Sequence, residues 1–285
     1  MEQTTKTNFL LGEEKVSKAL LKLGIPTMIG MLASALYNAV DAYFVGGLGI
    51  SQMGAVSVVF PVVQLVIGLG TVSYTHLLVI CWSDFSIFLN LGILARTAGL
   101  ALIPVIVTGG IHMDGFMDTA DALGSCRDRE KKLLILKDPH CGAFAVLSCV
   151  GYFIAYGGAL SEIGRGNLLI LSWGFVLSRA LSAFSIASFP MAKETGLAAS
   201  FSGTAHKRAV RGVSAVTAAG SAAAMCLLNP AAGLLCIGGA ILSFAWYYRM
   251  SMKQFGGITG DLAGWFLQIC ELSAAICLAV IEKIM

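Results

Sequence analysis

Charge is what this sequence has least of: only 12% of its 285 residues are Asp, Glu, Lys or Arg, while 57% are hydrophobic. A soluble domain carries about 25% charged residues, so the scarcity excludes a water-exposed globule and points to an integral membrane protein. The eight cysteines are scattered, mostly inside apolar runs, with no Cys-x-x-Cys pair and no ligand spacing. That absence argues against a zinc site and a disulfide framework, and the thiols read as small buried hydrophobes. No period-two alternation runs through the apolar segments, which argues against a closed β-barrel. No cleavable signal peptide is apparent, because the amino terminus opens with mixed charges and its first apolar run is long. Net charge is a modest +3, with Lys and Arg clustered beside apolar segments. Such a pattern orients a membrane protein and gives no sign of nucleic-acid binding.

What is present is apolar length. Segments run at about 23–45, 53–70, 77–107, 142–160, 168–189, 212–228, 231–248 and 262–281, most of them near the ~20 residues a spanning helix needs. The 33 glycines suit close helix packing in lipid. The expected fold is all-α, a polytopic helical bundle in the bilayer with about seven to eight membrane segments and cytoplasmic active-site loops. Lys and Arg crowd three polar links, at Arg127 to Lys137, Lys193 to Arg211, and Arg249 to Lys253. The positive-inside rule puts all three links in the cytoplasm, with two helices between each successive pair. The first half is less regular. Spans at 23–45 and 53–70 return the chain to the cytoplasm near residue 71, so 77–107 needs an extra re-entrant or half-span, where Asp84 and Arg96 sit.

The charged insert at 108–140 is the most informative stretch. Asp114, Asp118 and Asp121 stand at i, i+4 and i+7, so a helix there lines them on one face. Carboxylates that close raise each other's pKa unless a cation sits among them. At a membrane edge this favours a Mg²⁺ site for a phosphate-bearing substrate, with these three aspartates as ligands. The alternative is a solvated loop of ordinary charges.

Further candidates are more open. Asp261 follows a glycine-rich turn, Phe255 to Gly260, and precedes an apolar helix. It reads either as an N-cap or as part of a phosphate cradle with Gly257 and Thr259. No Gly-Lys-Ser/Thr follows, so the turn is not a Walker A loop. Arg179 lies inside an apolar segment and needs a carboxylate or phosphate partner near the cytoplasmic face. His112, His140 and His206 fall in or beside the polar links and are candidate bases, although a lone His is more often structural. His206 with Lys207 and Arg208 reads best as a phosphate-holding patch. The series Arg127 to Lys137 is either a topology signal or a receptor for a nucleotide.

Two resemblances divide the chain. Residues 11–70 resemble the first two helices of multidrug and toxic compound extrusion transporters, through Pro26, Tyr37-Asn38-Ala39-Val40-Asp41, Phe44-Val45-Gly46 and Phe60-Pro61. Residues 72–77, Val-Ser-Tyr-Thr-His-Leu, look like a translated sequencing-adapter read-through. The expectation is a chimeric reading frame: 1–70 foreign, 71–87 a junction, and 88–285 a transferase domain.

That last portion resembles the cobalamin synthase (adenosylcobinamide-GDP ribazoletransferase) family. The matching stretches are Thr108 to Asp121, Arg129-Glu130, Leu136-Lys137-Asp138, Gly142-Ala143-Phe144, Leu177-Ser178-Arg179-Ala180, Phe189-Pro190, Lys193 with Thr195 to Ala198, and Phe255 to Asp261. The resemblance implies transfer of cobinamide phosphate from adenosylcobinamide-GDP to α-ribazole or its 5′-phosphate, with release of GMP and Mg²⁺ as cofactor. For that reaction the catalytic candidates are Asp114, Asp118, Asp121 and His206. The candidate substrate or phosphate contacts are Lys137, Arg179, Lys193, Lys207, Arg208, Gly257, Thr259 and Asp261. A multi-pass protein of the bacterial inner membrane with its site facing the cytoplasm is expected. Its partners are the two substrates, the lipid bilayer and, as further candidates, a second copy or other cobalamin-assembly enzymes. The rival readings are a drug/cation antiporter fragment and an inactive fusion product.

Overall fold

Helix breaks fall where the backbone leaves the right-handed region. In the computed structural model, residues 75–138, 140–192 and 207–284 are described, all within the unit Phe60–Met285. Helix α1 (Thr75–Phe88) and helix α2 (Ile93–Val107) are separated by Asn90, whose φ of 55° is left-handed. Asparagine tolerates that conformation. At about 1.5 Å of rise per residue, neither helix reaches the ~30 Å thickness of the hydrocarbon layer. The apolar stretch 77–107 is thus two short arms.

Helix α3 (Ile111–Gly124) leaves α2 at a bend of 94°. Gly109 (φ 64°) and Gly110 (φ 80°) make the corner, a conformation that strains any residue with a Cβ. Met113, Phe116 and Thr119 are buried on α3, and Phe116 meets Tyr152 at 5.4 Å between ring centroids. The aspartates occupy the other faces. Turned away from α2 and bearing three carboxylates, α3 belongs at the membrane edge, since ionised groups in hydrocarbon are costly. The short helix α4 (Arg129–Ile135) follows, capped by Asp128, whose side chain accepts from the Lys131 amide.

Among the described residues, five helices are long and apolar enough to cross a membrane: α5 (Ala143–Glu162), α6 (Arg165–Ser188), α7 (Lys207–Leu228), α8 (Pro230–Gln254) and α9 (Gly260–Ile284). A sixth crossing is added if the bent α2–α3 pair is one span. The expected segments at 23–45 and 53–70 lie outside the described residues. Helix α9 is the hub, packing against α3, α5, α6 and α8, and its burial on nearly every side is that of a central helix. Between α7 and α8, Asn229 caps α8 by accepting from the Ala232 amide at 3.2 Å, with Pro230 at the first helical position.

The spans alternate in direction, so their ends sort into two groups. At one end Glu282 accepts from the Gly164 amide at 2.8 Å and from Asn167 Nδ2 at 2.9 Å. Arg165 pairs there with Asp84 at 2.6 Å, and Lys283 with Glu162 at 2.5 Å. The other end gathers the starts of α5 and α9, the ends of α6 and α8, and the helices α3 and α4. It holds the sequence motifs.

Candidate active site

Two glycines bring α3 onto the start of α9. A Cβ on Gly115 would lie 2.7 Å from the Asp261 carbonyl oxygen, and one on Gly264 would lie 3.2 Å from the His112 carbonyl oxygen. This crossing carries Asp261 to the aspartate face of α3. Asp118 is half-buried, and its carboxyl is pushed up to about 6, first by burial and then by the charges of Asp114, Asp261 and Asp121. Three further carboxylates thus act on Asp118, with Asp114 exposed at the rim.

The four are not equivalent. Asp121 accepts from the Gly142 amide at 2.5 Å and from the Ala145 amide at 2.8 Å, so both oxygens are committed to the start of α5. Its geometry is that of a helix cap. Among the described residues, no three His, Cys, Asp or Glu side chains are arranged to hold a metal ion by themselves. The donors still fit Mg²⁺ in one respect: they are hard carboxylate oxygens whose repulsion a divalent cation relieves. Mg²⁺ commonly takes only one or two carboxylates and completes its shell with water and substrate phosphate.

The glycine-rich turn is occupied by its own protein. Ile258 donates to the Pro190 carbonyl at 2.9 Å, and Ala192 donates to the Ile258 carbonyl at 2.9 Å, forming a single parallel bridge between Met191 and Ile258. A Cβ on Gly257 would lie 2.5 Å from the Ala192 nitrogen, so this strand-like contact requires glycine. Gly256 and Gly257 donate back to Met252 and Ser251 at the end of α8. With the amides of residues 256–258 donated internally, a phosphate cradle at Gly257 loses its donors. The N-cap expected at Asp261 is instead Thr259, whose Oγ1 accepts from the Leu262 amide at 3.2 Å. Thr259 Oγ1 also lies 3.5 Å from Asp261 Oδ2.

Arg179 has a carboxylate partner, as its apolar setting demands. Its Nη1 donates to Glu271 Oε1 at 2.6 Å, to Phe175 O at 3.2 Å and to Ser178 Oγ at 3.3 Å. Arg179 Nη2 and Glu271 Oε2 are buried without a hydrogen-bond partner among the described residues. The guanidinium charge reaches α3: burial, and then Arg179, push His112 down to about 4, which keeps its imidazole neutral.

The remaining candidates are spread out. Lys137 is exposed beyond α4, and Lys207 and Arg208 are exposed in the first turn of α7. Arg211 donates to the Ala187 carbonyl at 2.9 Å, tying α7 to the end of α6. His140 is exposed and bonded to Asp138 at 2.6 Å. Lys193 and His206 lie outside the described residues. An apolar groove of about 690 Å³ between α8 and α9, lined by residues such as Leu235, Leu242 and Ile276, contains none of the carboxylates. The sequence reading passed over Glu271, although a lone Glu in the apolar run 262–281 is itself a signal. Lys132, one of the charged series Arg127 to Lys137, is buried in α4.

Fold and site together define a polytopic helical membrane protein with a carboxylate group at the edge of its bundle. The family model for cobalamin-5-phosphate synthase matches residues 25–279, and the chain belongs to this family. It is 40% identical over 196 residues to an adenosylcobinamide-GDP ribazoletransferase of Lachnoclostridium phytofermentans, covering 69% of this chain and 75% of that protein. A Clostridium botulinum protein of the same name is 36% identical over 193 residues, 65% of this chain and 74% of its own. One from Ectopseudomonas mendocina is 33% identical over 234 residues, 80% of this chain and 89% of its own. No solved structure matches the chain.

Proposed function

We propose that this end of the bundle joins α-ribazole, or its 5′-phosphate, to the cobinamide phosphate of adenosylcobinamide-GDP and releases GMP. Family membership and the names of the relatives support the reaction. The observation that carries the site is Asp118, held among Asp114, Asp121 and Asp261 at the membrane edge. In the transfer, a ribazole oxygen forms a bond to the cobinamide-linked phosphorus, the P–O bond to GMP breaks, and the nucleophile's proton passes to water or a base. Asp118, with Asp114 or Asp261 beside it, would hold Mg²⁺ together with water and substrate phosphate, and the ion would supply neutralisation of the pyrophosphate oxygens.

The chain's own contribution is placement. The glycine crossing fixes Asp261 against α3, and Asp121 fixes α5 beside it. Exposed Lys137, Lys207 and Arg208 add positive charge for the nucleotide, with Lys193 and His206 as further candidates. An edge site suits a substrate with a large amphipathic corrin and a charged tail. The links around Arg127 to Lys137, Lys207 to Arg211 and Arg249 to Lys253 share this end, which supports a cytoplasmic orientation in a bacterial inner membrane.

Residues 1–70 are read as a foreign transporter-like piece, 71–87 as the junction and 88–285 as the transferase domain. The family match reaches back to residue 25, and the Ectopseudomonas relative aligns with 80% of this chain, so both extend into the piece read as foreign. Amplification across codons 60–90 from source DNA decides: a continuous native product removes the junction. For the reaction, GMP release from adenosylcobinamide-GDP is measured with the purified chain and with a version carrying a relative's amino terminus in place of 1–77. Release that needs α-ribazole and Mg²⁺ in either version is the expected result. Its absence in both overturns the reading.

A further inference from the structure

Helix α4 sets two cations against the turn before α9, and neither meets a carboxylate among the described residues. Lys132 is only 6% exposed, and its ammonium donates to the neutral Gln254 Oε1 at 2.5 Å. Arg129, three residues earlier on the same helix, lies against Gly256: a Cβ built there would fall 1.9 Å from the guanidinium carbon. Gly256 has a φ of 73°, so glycine serves there both as the left-handed end of α8 and as the seat of the guanidinium. The ion pairs among the described residues join Lys131 to Asp128, His140 to Asp138, Arg165 to Asp84, Arg179 to Glu271 and Lys283 to Glu162. Arg129 and Lys132 are in none of them. A buried ammonium with one neutral acceptor is costly unless an anion completes its surroundings.

The turn under these cations leads within five residues to Asp261, which Gly115 brings to Asp118. Cationic seat and carboxylate group thus share one short path of backbone. We propose that Arg129, seated on Gly256 and backed by Lys132, binds the phosphate of the GMP half of adenosylcobinamide-GDP, the part that leaves. A guanidinium suits this role because its planar fork donates two parallel hydrogen bonds to a phosphate. Arg129 is exposed, so the fork that rests on Gly256 is open to a phosphate arriving from solvent. Lys131, on the neighbouring position, is tied to Asp128 at 3.2 Å and takes no part.

The inference rests on the transferase reading, and the experiment separates the two. GMP binding is measured on the detergent-purified full chain in Mg²⁺, beside guanosine, which lacks the phosphate. Arg129→Ala weakens GMP by about tenfold or more, as loss of a charge-assisted contact should, and leaves guanosine unchanged. Arg129→Lys recovers part of the loss. Gly256→Ala, which displaces the guanidinium, weakens GMP in the same direction, while Lys131→Ala does not. Arg129→Ala that binds GMP within twofold of the unaltered chain, at an unchanged melting temperature, overturns the inference. So does an unaltered chain that binds no GMP. A chain that binds GMP through Arg129 yet releases none from both substrates instead removes the transferase reading and leaves the phosphate seat standing.

Discussion

Asp121 is bonded to the start of α5, its Oδ2 accepting from the Gly142 amide at 2.5 Å and its Oδ1 from the Ala145 amide at 2.8 Å. A helix begins with four amides lacking intrahelical partners and with the positive end of its dipole, so a carboxylate there is doubly favoured. Gly142 must stay small, because a Cβ on it would lie 2.5 Å from the same carboxylate. Asp121→Ala is expected to lower stability by about 1–2 kcal/mol, the usual worth of a cap. The measurement is the melting temperature in detergent, read beside GMP release. An Asp121→Asn protein with unchanged melting but no response of turnover to Mg²⁺ would show that the residue is a ligand after all.

Asp118 should behave in the opposite way. Its carboxyl stands near 6 against an ordinary 3.8 because burial and three neighbouring carboxylates disfavour its charge. Between those two pH values the folded protein keeps a proton that the unfolded chain has lost. Stability from this group is therefore greatest at low pH, falls as pH rises through the window from about 4 to 6, and is level above it. Asp118→Asn removes that slope from melting curves recorded in a chelator and leaves the fold no less stable at neutral pH. Turnover falls by about a hundredfold or more, because an anionic ligand is lost for the Mg²⁺ that would offset the pyrophosphate charge. Near-normal GMP release at saturating Mg²⁺ rules the role out.

The spans were legible from apolar length, and the shared face of the three aspartates followed from their i, i+4, i+7 spacing on the condition that 111–124 is helical. Pairings between distant segments were not. Asp121 and Gly142 are 21 positions apart and Arg179 and Glu271 are 92 apart, and no local periodicity encodes which carboxylate meets which donor. Asp261 looked able to cap α9, and the fold gave that place to Thr259. The role of Gly257, left open between a turn and a phosphate cradle, was hidden for a similar reason. A glycine that lets a ligand approach and a glycine that lets Ala192 approach look alike in sequence. Arg129 and Lys132 were visible as charge, but their seat on the 254–256 turn required the tertiary fold.

Gly115 and Gly264 should rank by the space behind them. A Cβ on Gly115 meets Asp261 backbone at 2.7 Å, whereas one on Gly264 meets His112 backbone at 3.2 Å. Backbone cannot swing aside as a side chain can, so Gly115→Ala must push α3 away from α9 and separate Asp118 from Asp261. The expected result is a large loss of turnover with every aspartate still present, and a smaller loss for Gly264→Ala. Kinetics of both variants at matched protein levels check the order. Equal activity in the two would remove the crossing as the device that sets the carboxylate spacing.

Arg179 and Glu271 allow the substrate role of an intramembrane arginine to be separated from its structural one. Their contact at 2.6 Å is nearly sealed, with the Glu271 side chain 1% exposed. Removing one partner leaves an uncompensated charge, which typically costs about 3–5 kcal/mol, while replacing both with apolar residues is often neutral. Arg179→Met and Glu271→Leu alone should each melt at lower temperature, and the double variant should recover most of the difference. Turnover then discriminates. Recovery of GMP release in the double variant means that Arg179 serves Glu271 and the packing of α6 on α9. A stable double variant that stays inactive means that the Nη2 left unbonded among the described residues is needed by a substrate oxygen.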